Sequence, residues 1–125
     1  MKKDGKPILV VEDDVELCNA ILATLHRAEY APVGVVDLRE AMFKVKNQRF
    51  SCVILDMRLR GSSGEDLVDF IRDRKDVPNN DTPILVISGF LDKAILEHIA
   101  KRIQGALVKP FEMTALLQMV EKHAK

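Results

Sequence analysis

The residues best suited to chemistry are acids that directly follow two short apolar runs. The triplet Glu12–Asp14 follows the run Pro7–Val11, and Asp56 follows the run Cys52–Leu55. If both runs are buried strands, their acids lie at the carboxyl edge of the sheet, where open α/β folds place their sites. Carboxylates held in one crevice repel one another, so such a cluster is typical of a site for a hard cation such as Mg²⁺.

One cation is predicted at the same edge of the sheet. The apolar run Ala106–Val108 ends in Lys109, which Pro110 follows. A metal ion and a lysine beside it can neutralise the negative charge of a phosphoryl group. The pattern therefore indicates a pocket that handles a phosphoryl group.

The composition indicates one soluble domain that spans residues 1–125. Lys and Arg together number 19, as do Asp and Glu, so the bulk charge gives no case for nucleic acid or a membrane as a direct partner. The apolar stretches are far too short to span a bilayer. Because the start of the chain lacks the form of a signal peptide, we expect a cytoplasmic protein.

Two cysteines and three phenylalanines are predicted to lie in the core. Cys18 and Cys52 fall within apolar patterns without metal-ligand spacing, which favours buried free thiols over a disulfide. Phe43, Phe50 and Phe70 are predicted to pack inside rather than to stack on a cofactor.

Short apolar runs alternate along the chain with stretches of helical periodicity. The runs, which lack alternation as expected of strands covered on both faces, are Ile8–Val11, Pro32–Val36, Cys52–Leu55, Ile84–Ile87 and Ala106–Val108. Five amphipathic stripes separate or follow them; the first contains Val15, Cys18, Ile21, Leu22 and Leu25, and the fourth Ile95, Ile99 and Ile103. Asp37 with Glu40 resembles a capping box, and segments 61–64 and 75–82 are predicted loops.

A β-α unit repeated five times predicts an α/β fold, with a doubly wound parallel sheet covered by helices on both faces. The expected strand order is 2-1-3-4-5, the flavodoxin-like three-layer (βα)5 arrangement. In that order Glu12, Asp13 and Asp56 are neighbours at the switch point. Ser88 ends the next strand, and Lys109 follows the edge strand.

Four separated motifs make the chain resemble the receiver domain of two-component response regulators. They are Val10–Asp14, Ile54–Asp56, Val86–Gly89 and Val108–Phe111. Each is weak alone, but each lies at the carboxyl end of a different predicted strand. The resemblance extends over essentially the whole chain.

The resemblance implies a role for each acid of the cleft. Asp56 would accept a phosphoryl group from a sensor histidine kinase or a phosphotransfer protein. Glu12 and Asp13 would hold Mg²⁺ together with Asp56 and the backbone carbonyl of Arg58. The domain would be a phosphoacceptor rather than an enzyme in the usual sense, and it would assist its own phosphorylation and dephosphorylation.

The resemblance also implies how a signal would leave the domain. The Ser88 hydroxyl would bond a phosphoryl oxygen, and Lys109 would be its counter-ion. Phosphorylation would then change the binding of a downstream protein. Neither a nucleic acid nor a membrane is expected as a direct partner, and self-association as a homodimer is left open.

The chain departs from the family pattern at several positions, two of which are Arg60 and Ala106. Arg60 stands where the family usually has proline. Ala106 stands where it usually has an aromatic ring that turns inward when the phosphoryl group is bound. We therefore expect conformational change to concentrate in the Ser88–Lys93 loop, with Phe90 as the side chain best placed to move.

Three other classes of function are less consistent with the sequence. A flavodoxin-type electron carrier is disfavoured, because Glu12–Asp14 would repel a flavin phosphate. A hydrolase of the haloacid dehalogenase type usually needs a second aspartate two residues after the first, where this chain has Arg58. A degenerate receiver that binds partners without phosphorylation is disfavoured by the complete set of acids, serine and lysine, but Ala106 keeps it open.

Overall fold

The computed structural model describes residues 5–89 and 93–125. Its strands are β1 (Pro7–Val11), β2 (Ala31–Val35), β3 (Cys52–Asp56), β4 (Arg58–Leu59), β5 (Ser62–Ser63), β6 (Ile84–Ser88) and β7 (Gly105–Val108). Its helices are α1 (Val15–Arg27), α2 (Leu38–Asn47), α3 (Gly64–Asp73), α4 (Lys93–Ile99) and α5 (Met113–His123).

The five long strands form one parallel sheet in the order β2-β1-β3-β6-β7, while β4 and β5 form a separate antiparallel hairpin. Since β6 and β7 are the fourth and fifth long strands, the predicted order 2-1-3-4-5 is confirmed. The doubly wound α/β fold is confirmed with it.

Helices cover both faces of the three central strands, which explains the continuous apolarity of β1, β3 and β6. The expected coverage on both faces is wrong for the edge strands β2 and β7, which are partly exposed. On β1, Leu9 and Val11 face a core layer shared with α2, α3 and α4, whereas Ile8 and Val10 face a layer shared with α1 and α5. Alternate residues of a strand thus enter opposite layers, and both layers are apolar. Cys52 is fully buried as a free thiol, and burial raises its pKa to about 12.

Short polar side chains cap the first turns of α1, α2 and α3. Asp14 accepts a hydrogen bond from the N–H of Leu17 at the start of α1, and Asp37 accepts one from Glu40 at the start of α2. The predicted capping by Asp37 is confirmed. Such caps satisfy N–H groups that have no partner inside the helix, so they fix where the chain leaves the sheet edge.

Several local predictions are wrong. Segment 61–64 is not simply a loop, since it contains β5 and the first residue of α3. Val15 is 61% exposed because it is the first residue of α1, and Ile103 lies beyond the end of α4 although it still packs on the core. Phe43 is 65% exposed because it lies on the outer side of α2, opposite the buried residues two positions before and after it.

The predicted loop 75–82 folds around a buried amide. The Asn79 side chain is fully buried and donates to the carbonyls of Val45 and Gln48 at 2.6 Å each. Its Oδ1 accepts from the N–H of Phe50 at 2.7 Å and from the Thr82 hydroxyl at 2.9 Å. These bonds fasten the end of α2 to the segment before β6.

Over the described residues, no helix has the length and apolar character needed to cross a membrane.

Candidate functional site

The register of the sheet brings three strand ends together. Val11 of β1 lies beside Leu55 of β3, and Asp56 lies beside Ile87 of β6. Glu12, the residue after β1, therefore adjoins Asp56 across the boundary between the first and third strands. This boundary is the switch point, where the chain winds away in opposite directions and leaves a crevice.

Lys109 reaches across this crevice to two buried acids. Its Nζ lies 2.8 Å from Oε1 of Glu12 and 3.0 Å from Oδ2 of Asp56. The side chains of Glu12 and Asp56 are 0% and 4% exposed, and that of Lys109 is 25% exposed. The Lys109 N–H also donates to the carbonyl of Ser88 at 2.7 Å, which holds the end of β7 against β6. The predicted proximity of these residues is confirmed.

Burial dominates the ionisation of Glu12. It raises the pKa of Glu12 to about 7, against the opposing effects of Lys109 and of the Asp14 N–H, which donates to Oε2 at 3.1 Å. Burial alone would lower the pKa of Lys109, but its contacts with Glu12 and Asp56 outweigh that effect and raise it. Lys109 is therefore a cation at neutral pH.

The three acids fit a metal ion. Glu12, Asp13 and Asp56 each offer a carboxylate oxygen, and these oxygens lie within 4.8 Å of one another. Oε1 of Glu12 is buried and, despite its ion-pair contact with Lys109, receives no properly oriented hydrogen bond from the described residues. A hard cation prefers oxygen ligands and would satisfy that oxygen. The acidic pocket is thus able to bind a metal ion.

The β4–β5 hairpin contributes main-chain groups to the same pocket. The N–H of Arg58 donates to Oδ1 of Asp56 at 3.0 Å, and the N–H of Arg60 donates to Oδ2 of Asp13 at 2.7 Å. Sequence reasoning missed the second contact. The non-proline residue at position 60 establishes only that an N–H is present there, and not what it bonds.

Other predicted positions lie around the pocket. Ser88 is fully buried at the end of β6, two places along the sheet from Glu12. Ala106 is exposed on β7, where it pairs with Val86. Asp14 caps α1 and lies outside the group of acids that could hold a metal. Phe90 belongs to segment 90–92, which lies outside the described residues.

Fold and site together define a doubly wound α/β domain with a lysine-bridged acidic crevice at its switch point. The family profile of the response regulator receiver domain matches residues 8–121. The chain therefore belongs to this receiver domain family, which signals by phosphorylation in two-component systems and is not a classical enzyme family. Receiver domains of response regulators interact with histidine kinases.

Individual relatives agree with this assignment. The chain is 35% identical to the regulatory protein VanRB of Enterococcus faecalis over 91% of its own length and 50% of VanRB. It superposes on the chemotaxis protein CheY4 of Vibrio cholerae with a TM-score of 0.84 and 26% identity, covering 94% of this chain and 98% of that one.

A second solved structure, the receiver domain of the sensor histidine kinase PA1611 from Pseudomonas aeruginosa, has a magnesium ion coordinated in its active site cleft. It gives a TM-score of 0.83 at 24% identity, over 95% of this chain and 97% of that one. The chain spans half or less of the length of the first curated relatives that it matches.

Proposed function

We propose that Asp56 accepts a phosphoryl group from a sensor histidine kinase or a phosphotransfer protein. The observation that carries this proposal is the contact of Lys109 with Asp56 at 3.0 Å and with Glu12 at 2.8 Å. A cation that touches a buried carboxylate next to other acids is placed to neutralise charge added to that carboxylate. Asp56 is the one of the three acids that also ends a central strand of the sheet.

The transfer would break the phosphorus–nitrogen bond of a phosphohistidine and form a phosphorus–oxygen bond to Asp56. The Arg58 N–H and Lys109 Nζ each hold one oxygen of Asp56, so the carboxylate is oriented before a donor arrives. The Ser88 hydroxyl would bond a phosphoryl oxygen, and Lys109 would neutralise another.

Mg²⁺ is the cation that we propose for the acidic pocket. Its ligands would be Glu12, Asp13, Asp56 and the backbone carbonyl of Arg58, and the magnesium ion in the PA1611 receiver supports this choice. When bound, the ion would neutralise the phosphoryl oxygens and offset the repulsion between the acids.

Incubation with acetyl phosphate and Mg²⁺ tests both proposals. We expect the intact mass to increase by one phosphoryl group, and a chelator should prevent the increase. Asp56→Asn should abolish labelling, whereas Asp14→Asn should retain it, because the Asp14 side chain caps α1 and lies outside the group of acids that could hold a metal. Full labelling of Asp56→Asn would refute the assignment of the acceptor, and full labelling in the presence of the chelator would refute the metal requirement.

We further propose that one receiver domain occupies residues 1–125, acts in the cytoplasm without direct contact with nucleic acid or membrane, and assists its own dephosphorylation. Phosphorylation would change its affinity for a downstream protein or for a second copy of itself.

Size-exclusion chromatography with and without beryllofluoride tests whether the domain forms a homodimer. An unchanged elution volume would exclude a homodimer that depends on phosphorylation. Assisted dephosphorylation predicts that the phosphoryl group on Asp56 is lost more slowly in Lys109→Met or Ser88→Ala than in the wild type.

The exposed Ala106 favours one alternative, a receiver that binds its partner without phosphorylation. This alternative predicts that Asp56→Asn binds the partner as well as the wild type does, in the presence or absence of phosphodonor. A partner that distinguishes the labelled from the unlabelled wild type would exclude it.

A further inference from the structure

Asp13 differs from the other two acids of the pocket in what holds it. Glu12 and Asp56 are buried by the sheet and the helices, but Asp13 is half-buried and lies on the outer side of the group. Repulsion from its neighbours favours turning its carboxylate towards solvent. The contact that opposes this movement is the hydrogen bond from the N–H of Arg60 to Oδ2 of Asp13, at 2.7 Å.

The donor lies in a tight two-residue turn whose second residue is a glycine with positive φ. Leu59 pairs with Ser62, so Arg60 and Gly61 are the two central residues of the β4–β5 turn. Gly61 has a φ of +73°. The φ of Arg60 is not positive, because Glu29 is the one non-glycine residue with positive φ in the described segments. A φ that is not positive at Arg60, followed by a positive φ at Gly61, is the sign pattern of a type II turn, in which proline is common at the first central position. A proline there would have no N–H to donate.

The turn is fastened to the strand that carries Asp56. Leu59 is 5% exposed and packs in the core, and the Ser63 hydroxyl accepts from the N–H of Glu65 at 3.2 Å at the start of α3. The N–H of Gly64 donates to the carbonyl of Met57 at 2.9 Å. The Arg60 N–H therefore projects from a fixed point beside the pocket.

We propose that the main-chain N–H of Arg60 is a positioning group that holds the Asp13 carboxylate ready for a divalent cation. This inference rests on the proposed Mg²⁺ site. One oxygen of Asp13 is bonded to the turn, and the carboxylate has a second oxygen for the ion. Without the N–H, binding would have to order a side chain that neighbouring charge repels. The cost of ordering one side chain corresponds to a dissociation constant for Mg²⁺ that is about two- to tenfold larger.

Two substitutions at the same residue separate the N–H from the charge of the side chain. Arg60→Ala and Arg60→Pro both remove the guanidinium, but only Arg60→Pro removes the N–H. Isothermal titration of the purified, metal-free proteins with MgCl₂ is suitable, because the chain has no tryptophan to report binding by fluorescence. We expect Arg60→Pro to bind Mg²⁺ about two- to tenfold more weakly than Arg60→Ala, with similar melting temperatures before the metal is added.

Equal dissociation constants for the two variants would overturn the positioning role. A wild type that binds no Mg²⁺ would instead overturn the proposed metal site, so the two failures are distinguishable. If Arg60→Pro melts at a lower temperature without metal, an amide-to-ester replacement at residue 60 removes the N–H without adding a ring. The same loss of Mg²⁺ affinity in that protein would support the proposal, and unchanged affinity would refute it.

Discussion

Replacing Lys109 with methionine should destabilise the metal-free protein strongly, because it removes the cation that two buried carboxylates share. Lys109 Nζ lies 2.8 Å from Glu12 and 3.0 Å from Asp56, and neither acid is more than 4% exposed. Removing one partner of a buried ion pair costs about 3–5 kcal/mol, because a buried charge is left without compensation. We expect a loss in this range at pH 8.

The loss should be smaller at low pH. The pKa of Glu12 is raised by burial to about 7 in the folded protein, from an ordinary value of 4.5. An acid with a raised folded pKa contributes stability that decreases as the pH rises from its unfolded pKa through its folded pKa. Without Lys109 the folded pKa of Glu12 should rise further, so Glu12 would stay neutral at pH 5.5 and would need no counter-charge.

Urea unfolding at pH 5.5 and pH 8, followed by circular dichroism in the presence of a chelator, measures both effects. Lys125→Met is the matched control, because Lys125 pairs at 3.4 Å with Asp81 on the surface, where the Asp81 side chain is 61% exposed. Surface pairs contribute about 0–1 kcal/mol. If Lys109→Met loses no more stability than Lys125→Met, or loses more at pH 5.5 than at pH 8, the electrostatic reasoning is wrong.

Three further predictions concern the metal, a glycine and a buried amide. Mg²⁺ at a hundredfold excess over its dissociation constant should stabilise the fold by about 2.7 kcal/mol, and Asp13→Ala should reduce this gain; melts insensitive to Mg²⁺ would count against a metal site. Gly64→Ala should cost about 1–3 kcal/mol and impair labelling of Asp56 by acetyl phosphate, since its Cβ would lie 2.7 Å from the carbonyl oxygen of Asp56. Gly89→Ala, with nothing within 4 Å of its Cβ, is the control, and equal melting of the two variants would contradict the clash. Asn79→Ala should cost about 2–4 kcal/mol in urea unfolding because it leaves buried backbone groups unpaired, while labelling of Asp56 persists; a loss below about 0.5 kcal/mol would show that water replaces the amide.

The strands and their order could be predicted because their apolar runs are continuous. Such runs indicate coverage on both faces, and the repeated β-α pattern then restricts the topology to few arrangements. The β4–β5 hairpin could not be predicted in this way, because strands of two residues have no periodicity. Apolar character alone does not place Phe43 in the core, because Ala41 and Val45 define the opposite side of α2 as the buried one.

The candidate site was predictable as far as it depends on strand ends. Glu12, Asp56 and Lys109 follow apolar runs, so the topology alone brings them to one crevice. The donation from Arg60 to Asp13 was not predictable, since a backbone N–H is common to every residue except proline and its direction depends on the turn. The raised pKa of Glu12 likewise depends on burial by neighbours distant in the chain.

The way a signal leaves this domain is expected to differ from the ring movement that the family usually shows. Ala106 on β7 has no ring, and it is exposed beside Val86 in the middle of β6. We therefore expect a phosphoryl group at Asp56 to act through Ser88 and the residues that follow it. The Ser88 carbonyl already accepts a hydrogen bond from the Lys109 N–H, just after β7. Hydrogen exchange with and without beryllofluoride should change most in segment 88–93, of which residues 90–92, including Phe90, lie outside the described residues. Phe90→Ala should reduce partner discrimination between the two states and leave Asp56 labelling intact. Exchange that changes mainly in α1 or α2, with segment 88–93 unaffected, would refute this route.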